Sequence, residues 1–168
     1  MSGNYEADDA DAVVAGHDYA LLATQNTAAT VGDVDGDGLD DMLAGAPNAN
    51  VGTDASAGIA YLMSGTEVAT GSDTRFSLAT FVGTADLQRL GTAAVTLGDV
   101  DGDGNVDVLA SGDGDSTYVG TGGAAYVWYG PARGALTAAD AGAVFYGSSE
   151  QGLLGENLHA GHDLTGDP

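Results

Sequence analysis

Short apolar runs, each bounded by glycine or polar residues, recur along the chain. They are four to six residues long and carry β-branched or aromatic side chains near their centres, a pattern that favours strands over helices of ordinary length. We therefore predict two groups of four strands. The first group is Ala28–Gly32, Asp41–Gly45, Ile59–Ser64 and Leu78–Val82, and the second is Ala93–Gly98, Val106–Ala110, Ala124–Tyr129 and Ala143–Tyr146.

The two groups belong to an internal repeat of about 65 residues. Asp33 and Asp99 lie 66 residues apart, and the segment Gly58–Gly65 returns as Gly123–Gly130. Four short strands per repeat predict an all-β fold, a partial β-propeller made of four-stranded blades. The predicted divisions are an acidic N-terminal tail at 1–14, a first repeat at 15–83, a second at 84–147 and the start of a third at 148–168.

Two blades cannot close a ring. We therefore expect the chain to be a fragment of a longer protein, a piece that depends on assembly, or an open array with exposed edges.

Composition agrees with strands joined by tight turns, because Gly is abundant at 28 residues. The net charge of −22 repels phosphate and makes nucleic acid a poor partner. Two explanations of the acidity stay open: bound divalent cations offset part of it, or the surface is adapted to a salty medium. The chain is too polar for a membrane span, and without cysteine it has no disulfide framework.

Two loops of the form Asp-x-Asp-x-Asp-Gly-x-x-Asp, Asp33–Asp41 and Asp99–Asp107, carry the candidate chemistry. Their oxygen donors suit Ca²⁺, which takes six to eight oxygen ligands, and the glycine at position 6 permits a sharp turn. The residue at position 7 is placed to offer its backbone carbonyl. The predicted calcium ligands are Asp33, Asp35, Asp37, Leu39 and Asp41 in the first loop, and Asp99, Asp101, Asp103, Asn105 and Asp107 in the second.

The alternative interpretation is that these runs are solvated turns. Four carboxylates within nine residues repel one another unless a cation neutralises them, and the arrangement occurs twice at one repeat phase. Calcium is therefore favoured, and magnesium suits the loops less well because its octahedral geometry retains several waters. A third copy begins at Asp163, but Thr165 and Pro168 replace its third-position Asp and its glycine, so we expect it not to bind on its own.

The remaining candidate residues give weaker indications of function. Tyr126, Trp128 and Tyr129 are predicted to pack in the core rather than to form a platform for sugars. Asp113 and Asp115 are expected to be solvated charges of a Gly-rich loop. No nucleophile motif, phosphate-binding loop or His-Asp-Ser constellation can be assembled, so we expect the chain not to be an enzyme.

The acidic cores Gly32–Gly38 and Gly98–Gly104, with Gly45–Pro47 after the first, resemble the FG-GAP repeats of the integrin α-subunit β-propeller and its bacterial relatives. The pairs Leu90–Gly91 and Leu154–Gly155 are similar to the family's Phe-Gly element, with Leu in place of Phe. There are also departures from the pattern. Gln25 stands where the first repeat should have that Gly, and Gly112–Gly114 replaces Gly-Ala-Pro in the second.

The resemblance implies a seven-bladed propeller in the complete family member, with structural Ca²⁺ in hairpin loops. It also implies adhesion or binding of a protein or glycan ligand through propeller loops, at an extracellular or cell-surface location, although no signal peptide is visible. Neighbouring blades of the same or another chain would be partners. The alternative is an accessory propeller of a secreted enzyme whose catalytic domain lies outside this chain. Dockerin-like and thrombospondin-like calcium modules share the loop spacing, but their repeats are much shorter.

Overall fold

The computed structural model describes residues 28–69 and 77–159, and this part of the chain is built mainly of β-strands. Two sheets contain all the strands of the described residues. The strands are β1 (Ala28–Thr30), β2 (Met42–Ala46), β3 (Ile59–Met63), β4 (Ala79–Val82), β5 (Leu90–Gly98), β6 (Asp107–Gly112), β7 (Ala124–Trp128), β8 (Gly134–Thr137) and β9 (Ala143–Tyr146). Two short helices complete this part, α1 at Gly65–Ala69 and a 3₁₀ helix at Ala138–Asp140.

Each sheet contains the four strands of one repeat in chain order. The first sheet has the order β1-β2-β3-β4-β8, and the second has the order β5-β6-β7-β9. Neighbouring strands from the same repeat are all antiparallel. The eight strands predicted from the sequence are thus present, with half of their bounds shifted by one or two residues; the largest shift is in β5, which begins three residues early at Leu90. The tail at 1–14, Gln25 and the third acidic copy lie outside the described residues.

The strand β8 is an addition that the sequence pattern did not predict. It leaves the second repeat, crosses to the first sheet and pairs in parallel with β4, with Phe81 opposite Leu136. The backbone N–H of Gly134 begins this pairing by donating to the carbonyl of Leu78 at 2.9 Å. At the other end of β8, the indole Nε1 of Trp128 donates to the Thr137 carbonyl at 2.9 Å. The first sheet therefore has five strands, and β8 joins it to the second repeat.

The main hydrophobic core lies between the two sheets. The first sheet contributes Leu43, Leu62 and Phe81, each fully buried, and the second sheet contributes Tyr126 and Trp128. The rings of Phe81 and Trp128 are tilted, with centroids 4.7 Å apart, a favourable geometry for an aromatic pair. The prediction that Tyr126 and Trp128 pack in the core is confirmed, whereas Tyr129 is 41% exposed.

The repeat explains which faces are covered. Leu43, Leu62 and Phe81 line the face of the first sheet that meets the second sheet. Their equivalents in the second sheet are Leu109, Val127 and Phe145, which lie on the opposite face from Tyr126 and Trp128 according to the strand register. Phe145 is 59% exposed, so the same position of the repeat is covered in one sheet and open in the next.

Because of this difference, truncating the two phenylalanines should have unequal effects. We expect Phe81→Ala to lower the free energy of unfolding by about 3–5 kcal/mol, since it removes a fully buried ring from the core. Phe145→Ala should change it by no more than about 0.5 kcal/mol, because the ring is mostly in solvent already. Urea unfolding of both variants measures the two values, and equal losses would contradict the assignment of covered and open faces.

Candidate metal centres

The two acidic loops connect the first pair of strands in each sheet, β1 to β2 and β5 to β6. In the first loop the antiparallel backbone pairing continues past the end of β1. The Val31 N–H donates to the Asp41 carbonyl at 3.0 Å, and the Asp41 N–H donates to the Gly32 carbonyl at 2.9 Å. The position-6 glycines, Gly38 and Gly104, both have φ = 90°, which strains any other residue. The sharp turn expected there is therefore confirmed in both loops.

The first aspartate of each loop organises the turn that follows it. One carboxylate oxygen of Asp33 accepts bonds from the N–H groups of Gly36 and Asp37 at 2.7 and 3.0 Å, and the other accepts from Gly38 at 3.0 Å. Asp99 accepts the three equivalent bonds at 2.7, 3.1 and 2.8 Å. The backbone amides of each loop thus hold the turn around the carboxylate of its first aspartate.

The last aspartate of each loop, Asp41 or Asp107, is fully buried. One carboxylate oxygen of Asp41 accepts from the Val34 N–H at 2.7 Å, and the other accepts from Gly65, just beyond β3, at 2.8 Å. Asp107 makes the equivalent bonds to Val100 and Gly130, both at 2.8 Å. A buried carboxylate is costly unless it is hydrogen-bonded, and here both oxygens are. The bonds from Gly65 to Asp41 and from Gly130 to Asp107, which we call the clasp, connect each loop to the end of the third strand of its repeat.

Gly65 and Gly130 are required at this clasp by close approach. A Cβ at Gly65 would lie 2.5 Å from the Asp40 carbonyl oxygen, and one at Gly130 would lie 2.6 Å from that of Val106. Both glycines close the repeated segment noted in the sequence, so the repeat contained a signal for this contact. The role of each glycine becomes clear only in the structure, where the buried aspartate lies beside it.

Each loop brings three carboxylates together. The first group is Asp33, Asp35 and Asp37, and the second is Asp99, Asp101 and Asp107; within each group, one oxygen per residue lies within 4.8 Å of the others. Five of these six residues are exposed or half-buried. Hard carboxylate oxygens converging on one point match the preference of Ca²⁺. The donor set therefore fits this ion.

The remaining predicted ligands are placed differently in the two loops. Asp41 is outside the first group and Asp103 is outside the second. Leu39 has an exposed side chain, and its N–H donates to Asp37 at 2.8 Å; the Asn105 N–H donates to Asp103 at the same distance. Ligation by the carbonyls of Leu39 and Asn105 stays a prediction.

Asp37 has two further partners that the sequence analysis missed. The hydroxyls of Ser64 and Thr66 donate to the same carboxylate oxygen of Asp37 at 2.9 and 2.7 Å. The Thr66 hydroxyl foremost, with the Leu39 N–H and the Ser64 hydroxyl, holds the pKa of Asp37 below its ordinary value. Tyr129 and Pro131 occupy the equivalent positions in the second repeat, so this pair of aliphatic hydroxyls is not repeated.

A second polar cluster contains Asp113 and Asp115, which follow β6. The expectation that both are solvated is wrong, because they are only 5% and 3% exposed. Asp115 accepts from the Tyr126 hydroxyl and from Gln88, the latter at 2.8 Å. Burial foremost, together with the neighbouring Asp115 carboxylate, raises the pKa of Tyr126 above its ordinary value. Asp115 is thus held in the interior by hydrogen bonds from two protein side chains.

Asp113 has partners of its own in the same cluster. It accepts from the Thr92 hydroxyl at 2.9 Å and pairs with Arg89 at 3.3 Å.

The fold and loops define a class of all-β repeat proteins in which each repeat carries an acidic hairpin loop. The family model described as FG-GAP repeat matches residues 26–63, which include the first acidic loop and β1 to β3. The chain therefore contains an FG-GAP repeat at residues 26–63, and its resemblance to the integrin-type propeller is consistent with this match. No curated protein matches the chain significantly.

Removing both hydroxyls beside Asp37 should change the pKa of its carboxyl group. In Ser64→Ala/Thr66→Val we expect the pKa of Asp37 to rise toward its ordinary value, because the two side-chain donors to the ionised form are lost. Ionisation of Asp37 stabilises the fold above its unfolded-state pKa, and this contribution is lost as pH falls through the lower folded-state pKa. As pH falls through this range, the free energy of unfolding of the variant should therefore decrease less than that of the native chain.

Carboxyl-carbon NMR titration measures the pKa of Asp37 directly. Asp140 provides an internal control, because its pKa is also lowered, by Thr137, which neither substitution touches. An unchanged pKa of Asp37 would contradict the assignment.

Proposed function

We propose that this chain is a calcium-binding module of the β-propeller type, in which Ca²⁺ has a structural role. The observation that carries the proposal is the convergence of three carboxylates in each of two equivalent hairpin loops. The FG-GAP match over the first loop supports it. Bound Ca²⁺ would supply positive charge that offsets the repulsion among these carboxylates.

The residues proposed to hold the ions are those of the two triads. Asp33, Asp35 and Asp37, whose carboxylates lie close together, would bind the ion in one loop, and Asp99, Asp101 and Asp107 would bind it in the other. Backbone carbonyls at position 7 complete the proposed set. The buried clasp supports a structural role, because it connects each loop to the third strand of its repeat.

We further propose that the module serves extracellular adhesion or ligand binding, with a protein or glycan partner held by propeller loops. The FG-GAP match supports this role, since such repeats typically occur in extracellular proteins. None of the helices in the described ranges has the length and hydropathy that crossing a membrane requires. The proposed role is non-catalytic, and the ions act by rigidifying hairpins.

Calcium should raise the melting temperature of the chain. Binding to the folded state alone adds RT ln(1 + [Ca²⁺]/Kd) per site, about 2.7 kcal/mol at a hundredfold excess over Kd. Differential scanning calorimetry in calcium and in excess chelator measures the shift, and isothermal titration calorimetry counts the sites. An unchanged melting temperature with no binding heat would contradict a calcium function.

The two triads can be tested with matched isosteric variants. Asp35→Asn keeps an oxygen that accepts the Asp37 N–H, at 3.0 Å in the native loop, but removes one carboxylate charge. We expect this variant to lose binding at one site, and Asp35→Asn/Asp101→Asn to lose both. The control is Asp40→Asn, which makes the same charge change in the same loop but outside the triad. Equal losses in the Asp35 and Asp40 variants would contradict a specific site.

A further inference from the structure

The two acidic loops differ in what they do with the aspartate at their fifth position. In the first loop this residue is Asp37, which belongs to the group of converging carboxylates with Asp33 and Asp35. Its equivalent in the second loop, Asp103, lies outside the group there, and the buried Asp107 takes the third place. The fifth carboxylate is thus gathered with the others in one repeat only.

Hydrogen bonds hold the Asp37 carboxylate at both of its oxygens. One oxygen accepts from the Leu39 N–H at 2.8 Å, within the loop itself. The other accepts from the hydroxyls of Ser64 and Thr66, at 2.9 and 2.7 Å. These two side chains belong to a distant segment, at the end of β3 and the start of α1, so they tie the position of Asp37 to the sheet.

The Ser64 hydroxyl has a defined direction. Its oxygen accepts from the Thr66 N–H at 3.2 Å, and the residue is only 6% exposed. A hydroxyl has a single proton to donate, and here that proton is directed to Asp37. Thr66 adds a second donor to the same carboxylate oxygen. The pair therefore restricts the rotation of the Asp37 side chain.

The second repeat has no equivalent support for Asp103. The two matching positions are Tyr129 and Pro131. Pro131 has no side-chain donor, and Tyr129 lines an apolar groove of the second sheet. Among the residues that the structure describes, the Asp103 carboxylate accepts one hydrogen bond, from the Asn105 N–H at 2.8 Å. Asp103 must therefore turn toward an ion and lose rotamer freedom as the ion binds.

We propose that Ser64 and Thr66 are positioning residues for the first metal site, and that this site binds Ca²⁺ more tightly than the second. A ligand that is ordered before binding loses less conformational entropy when the ion arrives. Partners that orient a metal ligand typically contribute a factor of about 10–100 to metal affinity. The inference deepens the proposed calcium function and rests on it.

Glycine amides report on the two loops separately in the native chain. The Gly38 N–H donates to Asp33 and the Gly104 N–H donates to Asp99, so each NMR signal responds to changes in its own loop. In a calcium titration, we expect Gly38 to reach half of its shift at a free calcium concentration at least about tenfold below that for Gly104. Equal concentrations, or the reverse order, overturn the proposal.

Removing the hydroxyls tests their role in the first loop. We expect Ser64→Ala/Thr66→Val to raise the calcium concentration at which Gly38 responds by about 10–100-fold, because the two donors to Asp37 are lost. The response of Gly104 should not change, which makes the second loop the matched control. Thr66→Val alone keeps Ser64 in place and should give a smaller increase, so it serves if the double variant does not fold.

A conservative variant separates positioning from a role in folding. Thr66→Ser keeps a hydroxyl beside Asp37 and should keep the response of Gly38 near its native concentration. If the hydroxyls only support the fold, the double variant should melt at a lower temperature in chelator while Gly38 responds as in the native chain, and that result overturns the proposal. So does an equal loss of affinity in both loops. A native chain in which neither glycine responds to calcium overturns the calcium function itself, and this inference with it.

Discussion

The structure depends on the packing of one sheet on the next: the face of the first sheet that carries Leu43, Leu62 and Phe81 is buried because the second sheet covers it. The contact of Phe81 with Trp128 is the centre of the arrangement, since it joins a face of the first sheet to the opposite face of the second. Repeat proteins obtain their stability from such nearest-neighbour interfaces. The strand β8 strengthens this interface by placing part of the second repeat in the first sheet.

The acidic loops are compatible with this packing because their buried carboxylates are held by backbone hydrogen bonds. Five of the six triad carboxylates are exposed or half-buried, whereas Asp41 and the triad member Asp107 are buried and use both carboxylate oxygens to accept backbone N–H bonds. Each loop is therefore shaped by the sheet beneath it. The hydrogen bonds from Gly65 and Gly130 connect each hairpin to the third strand of its repeat, so an ion bound in the loop would restrain that strand as well.

The sequence predicted what local pattern and repetition encode, and it failed where partners are distant. The strands and the positive φ at Gly38 and Gly104 follow from short-range patterns. Parallel pairing of β8 with β4 joins segments more than 50 residues apart, and nothing in the short Gly-Ala-Leu-Thr sequence of β8 signals it. Asp115 looked like a solvated charge because its partners, Gln88 and Tyr126, come from other segments.

Divergence between the repeats changes the surroundings of the two acidic loops. Where the first repeat has Ser64, which donates to Asp37, the second has Tyr129, which lines an apolar surface groove with Val127 and Phe145. Tyr129 is followed directly by Gly130, whose N–H holds the buried Asp107. Both loops share the backbone bonds to their first and last aspartates, and the first loop adds two side-chain hydroxyls that donate to Asp37. The two loops therefore have the same backbone frame but differ in the side chains around their fifth position.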